Sequence, residues 1–552
     1  MRSAPIQTVH LAALLACASC GGAESGAVWF EERAVNAGLV FHHHSGHEPE
    51  RFLMPEIMGG GAALADVDGD GRLDVYLVQS GSPEAGSVTG GANRLFLNRS
   101  NSRGLRLSDA GPHSGAEDSG FGMGVATGDF DGDGDIDLYV TNYGPNVLLA
   151  NEGEGRFRDL TQRAGVGHAG WGTSAAFVDY DRDGLLDLFV TNYLDWTVEG
   201  ELICHDKLGR RDYCTPDNYE SPAFDALYHN DGNGRFTDVS RASGVASKPG
   251  TGLGVACADF DGDGWIDIFV ANDLMPDVLW RNLGDGTFTD VAVRSGCAVD
   301  EYGTSKAGMG VAVADIDDDG DPDLLVGNLN GQSDSFFVNS GGRFSDRTHI
   351  AGLGAASRPF TRFGLGWIDF DCDGRLDLFQ ANGRVNMQGS AWSGDPYAEP
   401  DLLLRGSEGP RFVPLPDAGL ARHLIGSGRG AAFGDLDDDG GIDAVVVNRD
   451  GPVFLLHNVA ERGQWVGFRL VDERGRDLPH ATLSCTVGGR RITRTSRTAS
   501  SYCSANDPRI VVGLGKDDLA EQIEVLWPDG DREGFGGRGH GVYHELRRGA
   551  GL

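Results

Sequence analysis

Asp129-Phe-Asp131-Gly-Asp133-Gly-Asp135-Ile-Asp137 decides how the rest of this chain is read. Acids stand at positions 1, 3, 5 and 9 of a nine-residue stretch, with glycine at position 6. A hard cation such as Ca²⁺ takes roughly six to eight oxygens, and alternate carboxylates on a tight turn can converge on one ion. Glycine at position 6 permits the turn that points them inward. The flanks, Gly122-Met-Gly124-Val125-Ala126 before and Leu138-Tyr139-Val140-Thr141 after, are short and β-like. The loop is therefore expected to close a hairpin rather than to join two helices.

The pattern recurs six times, starting at Asp66, Asp179, Asp259, Asp315, Asp369 and Asp435. The expected side-chain ligands are Asp66, Asp68, Asp70 and Asp74; Asp129, Asp131, Asp133 and Asp137; Asp179, Asp181, Asp183 and Asp187; Asp259, Asp261, Asp263 and Asp267. They continue with Asp315, Asp317, Asp319 and Asp323; Asp369, Asp371, Asp373 and Asp377; Asp435, Asp437, Asp439 and Asp443. Position 7 is expected to offer its backbone carbonyl: Arg72, Asp135, Leu185, Trp265, Asp321, Arg375 and Gly441. Up to seven Ca²⁺ are expected, one per repeat. The seven loops hold 32 acids against three arginines, so they supply −29 of the chain's net charge of −36. Acids clustered between apolar runs read as cation sites rather than as a disordered acidic tail. A field of this sign also argues against a nucleic-acid partner, which needs a basic footprint.

The 552 residues are enough for more than one domain, and 85 glycines without a collagen period suit a turn-rich β protein. No apolar run reaches the roughly 18 to 20 residues of a membrane helix. Residues 1–22 read as an export signal: Arg2, an apolar run through Leu11-Ala-Ala-Leu14-Leu15-Ala16, then Cys17. Leu14-Leu15-Ala16-Cys17 resembles a bacterial lipobox, with Cys17 the candidate lipidated residue, against ordinary cleavage near Ala18 or Ser19.

Residues 28–460 repeat on a finer scale. Each loop leads into an apolar strand such as Leu138-Tyr-Val140 or Ile268-Phe-Val270, and a second strand ends at an Asn. Then comes N-x-G-x-G-x-F-x-D, clearest at Asn151–Asp159, Asn230–Asp238 and Asn282–Asp290. The unit holds four short strands, one propeller blade, and seven loops predict seven blades. The glycines ahead of the loops, such as Gly122 and Gly124, fall on the first strand, where small residues permit close backbone approach at a channel. Blade seven lacks its own F-x-D strand, while an orphan of that type stands at Trp29-Phe30-Glu31-Glu32-Arg33. Residues 29–33 are expected to complete the last blade and remove its exposed edge.

Two blades carry insertions, between Tyr193 and Tyr228 and between Asn382 and Leu402. Trp196, Arg210, Arg211, Tyr213, Tyr219, Trp392 and Tyr397 are the candidate ligand-contacting residues there, because long loops on a rigid scaffold often carry binding. Covering a blade edge is the competing role for these aromatics. Residues 463–548 lose the loop repeat and form a second β-rich domain, with strands near Gln464–Leu470, Ala481–Val487 and Ile523–Trp527.

Cys204 and Cys214 bracket the first insertion and are the expected disulfide of an exported protein. Cys485 and Cys503 are a second candidate pair, and Cys257, Cys297 and Cys372 leave at least one thiol over. His42-His43-His44 with His47 reads as a polar connector before blade one rather than as a metal site. The chain carries no G-x-S-x-G elbow, H-E-x-x-H or G-x-x-x-x-G-K-[ST] motif.

With these residues in view the blades resemble the FG-GAP (VCBS) repeats of integrin α-subunit propellers, Phe121-Gly-Met-Gly124 standing where the namesake motif does. Ser500-Ser-Tyr502-Cys503-Ser-Ala-Asn506-Asp507-Pro508, Gly513-Leu-Gly515 and Val525-Leu-Trp527-Pro528-Asp-Gly530 resemble the ASPIC/UnbV domain. Together they resemble the cartilage acidic protein family, with Cys503 a departure inside the Ser-Tyr run. The resemblance implies an all-β fold, a seven-bladed extracytoplasmic propeller with structural Ca²⁺ and a recognition role. The leading expectation is a non-catalytic envelope, cell-surface or secreted protein that binds protein or glycan, touching a membrane only through an N-terminal lipid anchor. A polysaccharide lyase or hydrolase on the same scaffold is one alternative. A docking component for biosynthetic or export machinery is the other. A central funnel gathering His, Tyr, Arg and acids would favour the enzyme, and a channel lined by Gly and Ala would favour binding.

Overall fold

The computed structural model describes residues 28–84, 91–387 and 392–552. The export segment and Cys17 lie outside the described residues.

Seven four-stranded antiparallel sheets follow one another between Phe30 and Asn458. The fourth is typical: Gly252–Ala258, Asp267–Asn272, Val278–Asn282 and Phe288–Asp290, paired in that order. Second strands such as Asp267–Asn272 and Asp443–Asn448 are buried on both faces, because each sheet packs its two faces on its neighbours. That is why they read as unbroken apolar runs. Each loop joins the first strand of its sheet to the second and holds the pair in register, as in Ala258↔Asp267.

The first strands contact one another around a closed ring, and the ring passes from Gly428–Gly434 of the last sheet back to Ala62–Ala65 of the first. Its seam is the strand Phe30–Glu32, which pairs with Phe454–Asn458 through Phe30↔Asn458, Glu31↔His457 and Glu32↔Leu456. The outer edge of the last sheet is thus covered from the N-terminal end of the chain, as expected of residues 29–33.

Neighbouring sheets are also stapled by the asparagine that ends the third strand. Asn151 Nδ2 donates to the carbonyl of Val67, Asn230 to Phe130, Asn282 to Tyr180 and Asn339 to Phe260. Asn458 reaches Phe370, and Asn98 reaches Leu436 across the seam. Each acceptor is position 2 of the previous sheet's acidic loop. In the sixth sheet Gly406 stands at this place. The N-x-G motif therefore does more than turn the chain: its first residue locks one sheet to the one before.

The C-terminal unit is built of two sheets around one core. One is ordered Ile510–Gly515, Gln464–Val471, Tyr543–Arg547. The other is ordered Arg490–Thr495, Thr482–Val487, Leu519–Leu526, Arg532–Phe535, with Arg538–Gly539 beside Leu519–Leu526. Cys485 is buried in this core, whereas Cys503 has left the unit altogether. Both are free thiols, so the suggested Cys485–Cys503 pair is corrected. Proximity along the chain does not bring them together, because the segment between the two sheets runs into the propeller.

Candidate metal loops and the sealed channel

Every acidic loop is organised by its own carboxylates before any ion is considered. In the second, Asp129 accepts from the backbone N–H groups of Gly132, Asp133 and Gly134. Asp137 is fully buried and accepts from Phe130 N and Asn151 N at 3.0 and 2.8 Å. One oxygen each of Asp129, Asp131 and Asp137 lie within 4.8 Å of one another, and Asp179, Asp181 and Asp187 repeat the arrangement. Burial pushes the position-9 carboxyls far up: Asp137 to about 9, Asp187, Asp267 and Asp323 to about 8, and Asp74 to about 7. An ionised carboxylate is costly at such a site unless a cation faces it. Position 3 points the same way, since Oδ1 of Asp68, Asp181, Asp371 and Asp437 is buried without a hydrogen-bond partner among the described residues. The donor set fits a hard divalent cation held by positions 1, 3, 5 and 9.

The loops are not equivalent. Five have an arginine or histidine side chain inside them: Arg99 on Asp68, His229 on Asp187, Arg281 on Asp261, Arg405 on Asp371 and His457 on Asp443. The carboxylates at positions 1, 3, 5 and 9 of the loops at Asp129 and Asp315 have no ion pair among the described residues.

All seven loops lie on one side of the ring, and the C-terminal unit docks there. Position 4, which is outside the expected ligand set, makes most of the contacts. Asp318 accepts from Arg490 Nε at 2.5 Å, and Asp438 from Arg509 Nη1 at 2.7 Å. The carbonyl of Gly132 accepts from Arg476, and that of Cys372 from Gly515 N. Tyr543 Oη donates to Asp435, position 1 of its loop, at 2.8 Å.

The chain from Arg497 to Asp507 then leaves this unit and enters the channel. Its hydrogen bonds reach the first strand of every sheet. Ala505 N donates to Ala62 O, and Cys503 O accepts from Val125 N. Cys503 N donates to Ser174 Oγ, and Arg497 to Cys257 O. Ser501 N donates to Val311 O, Ser501 Oγ accepts from Leu365 N, and Asp507 N donates to Phe433 O. Glycine is required where this segment passes. A Cβ on Gly61 would stand 2.1 Å from Cys503 O, and one on Gly124 would stand 2.9 Å from Cys503 Cα.

The FG-GAP-like repeat family matches residues 66–140, 129–190, 209–270, 259–326 and 315–379, more than half of the chain. The chain belongs to this family. ASPIC and UnbV matches residues 474–550. Human cartilage acidic protein 1 is 24% identical over 491 residues, covering 85% of this chain and 60% of the relative. The Xenopus tropicalis protein of that name is 27% identical over 310 residues, covering 53% and 44%. The chain thus spans about three-fifths or less of the length of these relatives. Among solved structures, an Agrocybe aegerita lectin that recognises non-reducing terminal N-acetylglucosamine is 14% identical with a TM-score of 0.36, covering 71% of this chain and 86% of the lectin. The Bacillus licheniformis rhamnogalacturonan lyase is 14% identical with a TM-score of 0.32, covering 90% and 91%. At such scores neither carries an argument.

At the end of the FG-GAP ring away from the ASPIC and UnbV domain, the insertions fold inward. Trp196, Tyr213 and Tyr397 are each 5% exposed and pack with Trp171, Tyr193, Phe363 and Tyr502 in one apolar cluster. Half-buried Tyr219 lies against it, and its hydroxyl donates to Glu201 at 2.5 Å. Trp196, Tyr213 and Tyr397 are thus packed over the channel mouth rather than standing out from a loop, the covering role that competed with ligand contact. The structure leaves exposed Arg210, paired with Asp206 at 2.7 Å, and Trp392. Arg211 lies over the Phe52 ring at 5.8 Å. A disulfide joins Cys204 to Cys214 within this insertion, across the short hairpin of Cys204–His205 and Arg211–Asp212. Beneath the cluster Glu56, 1% exposed, accepts from Tyr213 Oη at 2.8 Å and meets His47 Nδ1 at 2.8 Å. Buried His43 bonds Ser80, and burial pushes its pKa down to about 3. Glu56 did not stand out in the sequence, since an isolated acid in a connector carries no period, whereas His43 and His47 belong to the histidine run read there as a polar connector.

Proposed function

We propose that this chain is a calcium-stabilised, non-catalytic binding protein of an oxidising, extracytoplasmic compartment, recognising protein or glycan through its rim. The observation that carries the reading is the filled channel. A propeller enzyme would use a funnel at the axis, and here the axis holds residues 497–507 at one end and the aromatic cluster at the other. The Cys204–Cys214 bond suits an exported protein. Calcium is the ion of choice because the ligands are all oxygens. Extracellular modules bind it at roughly 10⁻⁴ to 10⁻³ M, so millimolar calcium fills them. Such binding stabilises the folded state by mass action. The test is a thermal melt with calcium and after EGTA, with elemental analysis of both samples. A substantially lower melting temperature is expected on stripping, and an unchanged melt of verified metal-free protein would sink the calcium reading.

One observation favours the enzyme alternative: Glu56, His47, Tyr213 and Arg449 converge beneath the insertions. Polysaccharide cleavage that disappears in Glu56→Gln while the melt is kept would establish that alternative instead.

A further inference from the structure

One place in the repeat decides what enters each acidic loop: the residue just before the asparagine that closes the third strand, or before Gly406 in the sixth sheet. In four sheets this residue reaches the carboxylates of its own loop, as His229, Arg281, Arg405 and His457. In the other three the place holds Leu97, Ala150 and Val338. A guanidinium brings a permanent charge and no lone pair. An imidazole brings a nitrogen that, when neutral, is among the commonest metal ligands in proteins. The ligands read from the sequence are all oxygens, and in two loops the structure adds a nitrogen.

In the loop at Asp179, His229 Nδ1 lies 3.1 Å from Asp187 Oδ1 and 3.3 Å from Asp181 Oδ2. In the loop at Asp435, His457 Nδ1 lies 3.1 Å from Asp443 Oδ1, and this imidazole is 7% exposed. Ligand atoms of Asp181, Asp183 and His229 lie within 4.8 Å of one another, as do those of Asp437, Asp443 and His457. Donor atoms about 2.0–2.2 Å from one zinc ion stand roughly 3–3.5 Å apart. A single N–H bonds one carboxylate well, whereas an ion between them engages the nitrogen and both carboxylates. Oδ1 of Asp181 and of Asp437, on the carboxyls that flank the two imidazoles, is buried without a hydrogen-bond partner among the described residues. Arg182, inside the first of these loops, turns away to the Gly264 carbonyl. Arg462 holds Asp439 in the second at 2.7 Å and leaves Asp437, Asp443 and His457 to one another.

We propose that the loops at Asp179 and Asp435 bind a transition-metal ion of the zinc class rather than calcium, with His229 and His457 as its nitrogen ligands. Zinc takes imidazole nitrogen together with carboxylate oxygen, whereas calcium and magnesium take oxygen alone. Imidazole in an otherwise carboxylate site therefore moves its preference from the hard cations towards zinc, copper and nickel. This inference rests on the reading of the loops as cation sites and departs from it in the ion that two of them hold.

The experiment strips the full chain with EDTA, dialyses it against millimolar calcium with micromolar zinc, and measures both elements after desalting. Zinc should be retained in spite of the calcium excess, at about two ions per chain, with imidazole scattering at the zinc absorption edge. His229→Ala and His457→Ala should each lose one zinc ion and keep the calcium of the other loops. Loss of an outer partner of a ligand already costs about ten- to a hundredfold in metal affinity, so loss of the ligand itself should weaken zinc at that loop by at least about tenfold. His229→Arg copies the loop at Asp259, where Arg281 holds the same place, and should lose the same ion without a lower melt. The reverse exchange, Arg281→His, should add a zinc ion. The proposal is overturned if no zinc is retained beside calcium, if the chain lacking both histidines retains as much as before, or if Arg281→His gains none. A chain that keeps calcium and no zinc refutes this inference alone, and one that keeps neither metal refutes the cation reading of the loops as well.

Discussion

Replacing Tyr502 by alanine should unfold the propeller more easily, although Tyr502 belongs in sequence to the C-terminal domain. Its side chain is fully buried, its ring meets Phe363 edge-on at 4.8 Å, and its hydroxyl donates to Met58 O at 2.9 Å. Removing a buried aromatic ring costs about 3–5 kcal/mol, because the cavity collapses only partly. Removing the hydroxyl alone, as in Tyr502→Phe, leaves the Met58 carbonyl without this donor in an apolar setting and costs about 1–2 kcal/mol. A folded domain holds only about 5–15 kcal/mol in all. At roughly 2–4 °C per kcal/mol for large domains, Tyr502→Ala should melt about 6–20 °C lower. Hydrogen exchange followed by mass spectrometry places the effect. Protection should fall in the first strands Phe121–Gly128 and Gly172–Val178, whose backbone and side chains hold residues 497–507. Ile492→Ala, in the core of the C-terminal domain, is the control for a loss confined there. If Tyr502→Ala loosens residues 463–552 and leaves those first strands as protected as before, the segment does not hold the ring together and the reasoning is wrong.

Two further outcomes follow from the same geometry. The raised carboxyls at position 9 bind protons in the folded, metal-free state that they release when unfolded. Their contribution is therefore present below about pH 4 and is lost as pH rises through their folded values of about 7 to 9. EGTA-treated protein should melt progressively lower from pH 6 to pH 9 while calcium-loaded protein changes little, and a gap between the two melts that stays constant with pH would contradict this. At the seam, Glu31→Cys with His457→Cys places thiols on directly opposed residues, within the roughly 7 Å that a disulfide spans. Oxidation should cross-link the pair and raise the unfolding temperature, which non-reducing electrophoresis and a melt can check.

Much of the architecture is local enough to read in advance. The acidic loop carries its four carboxylates within nine residues, and they organise its own backbone, as Asp129 and Asp137 do. The spacing alone therefore implies the turn. The missing fourth strand of the last sheet was legible for a similar reason: four strands per repeat must be satisfied, and Trp29–Arg33 was the unpaired segment of the right kind. The insertions were legible as insertions but not in role. Exposure was the default for Tyr213 and Tyr397, yet Arg449 stacks on both rings and Asp212 accepts from the Tyr397 hydroxyl at 3.2 Å.

The sequence by itself determined the repeat, the acidic loops and the strand that joins the chain ends, because each rests on residues a few positions apart with a fixed period. Only the tertiary structure decided what those repeats surround. The contacts of Tyr502 with Met58, Ala505 with Ala62 and Arg509 with Asp438 join residues far apart in the chain and follow no period. They exist because a ring of small first-strand residues leaves an axis that water would otherwise fill. One extended segment with free N–H and C=O groups can satisfy all seven strands there at once.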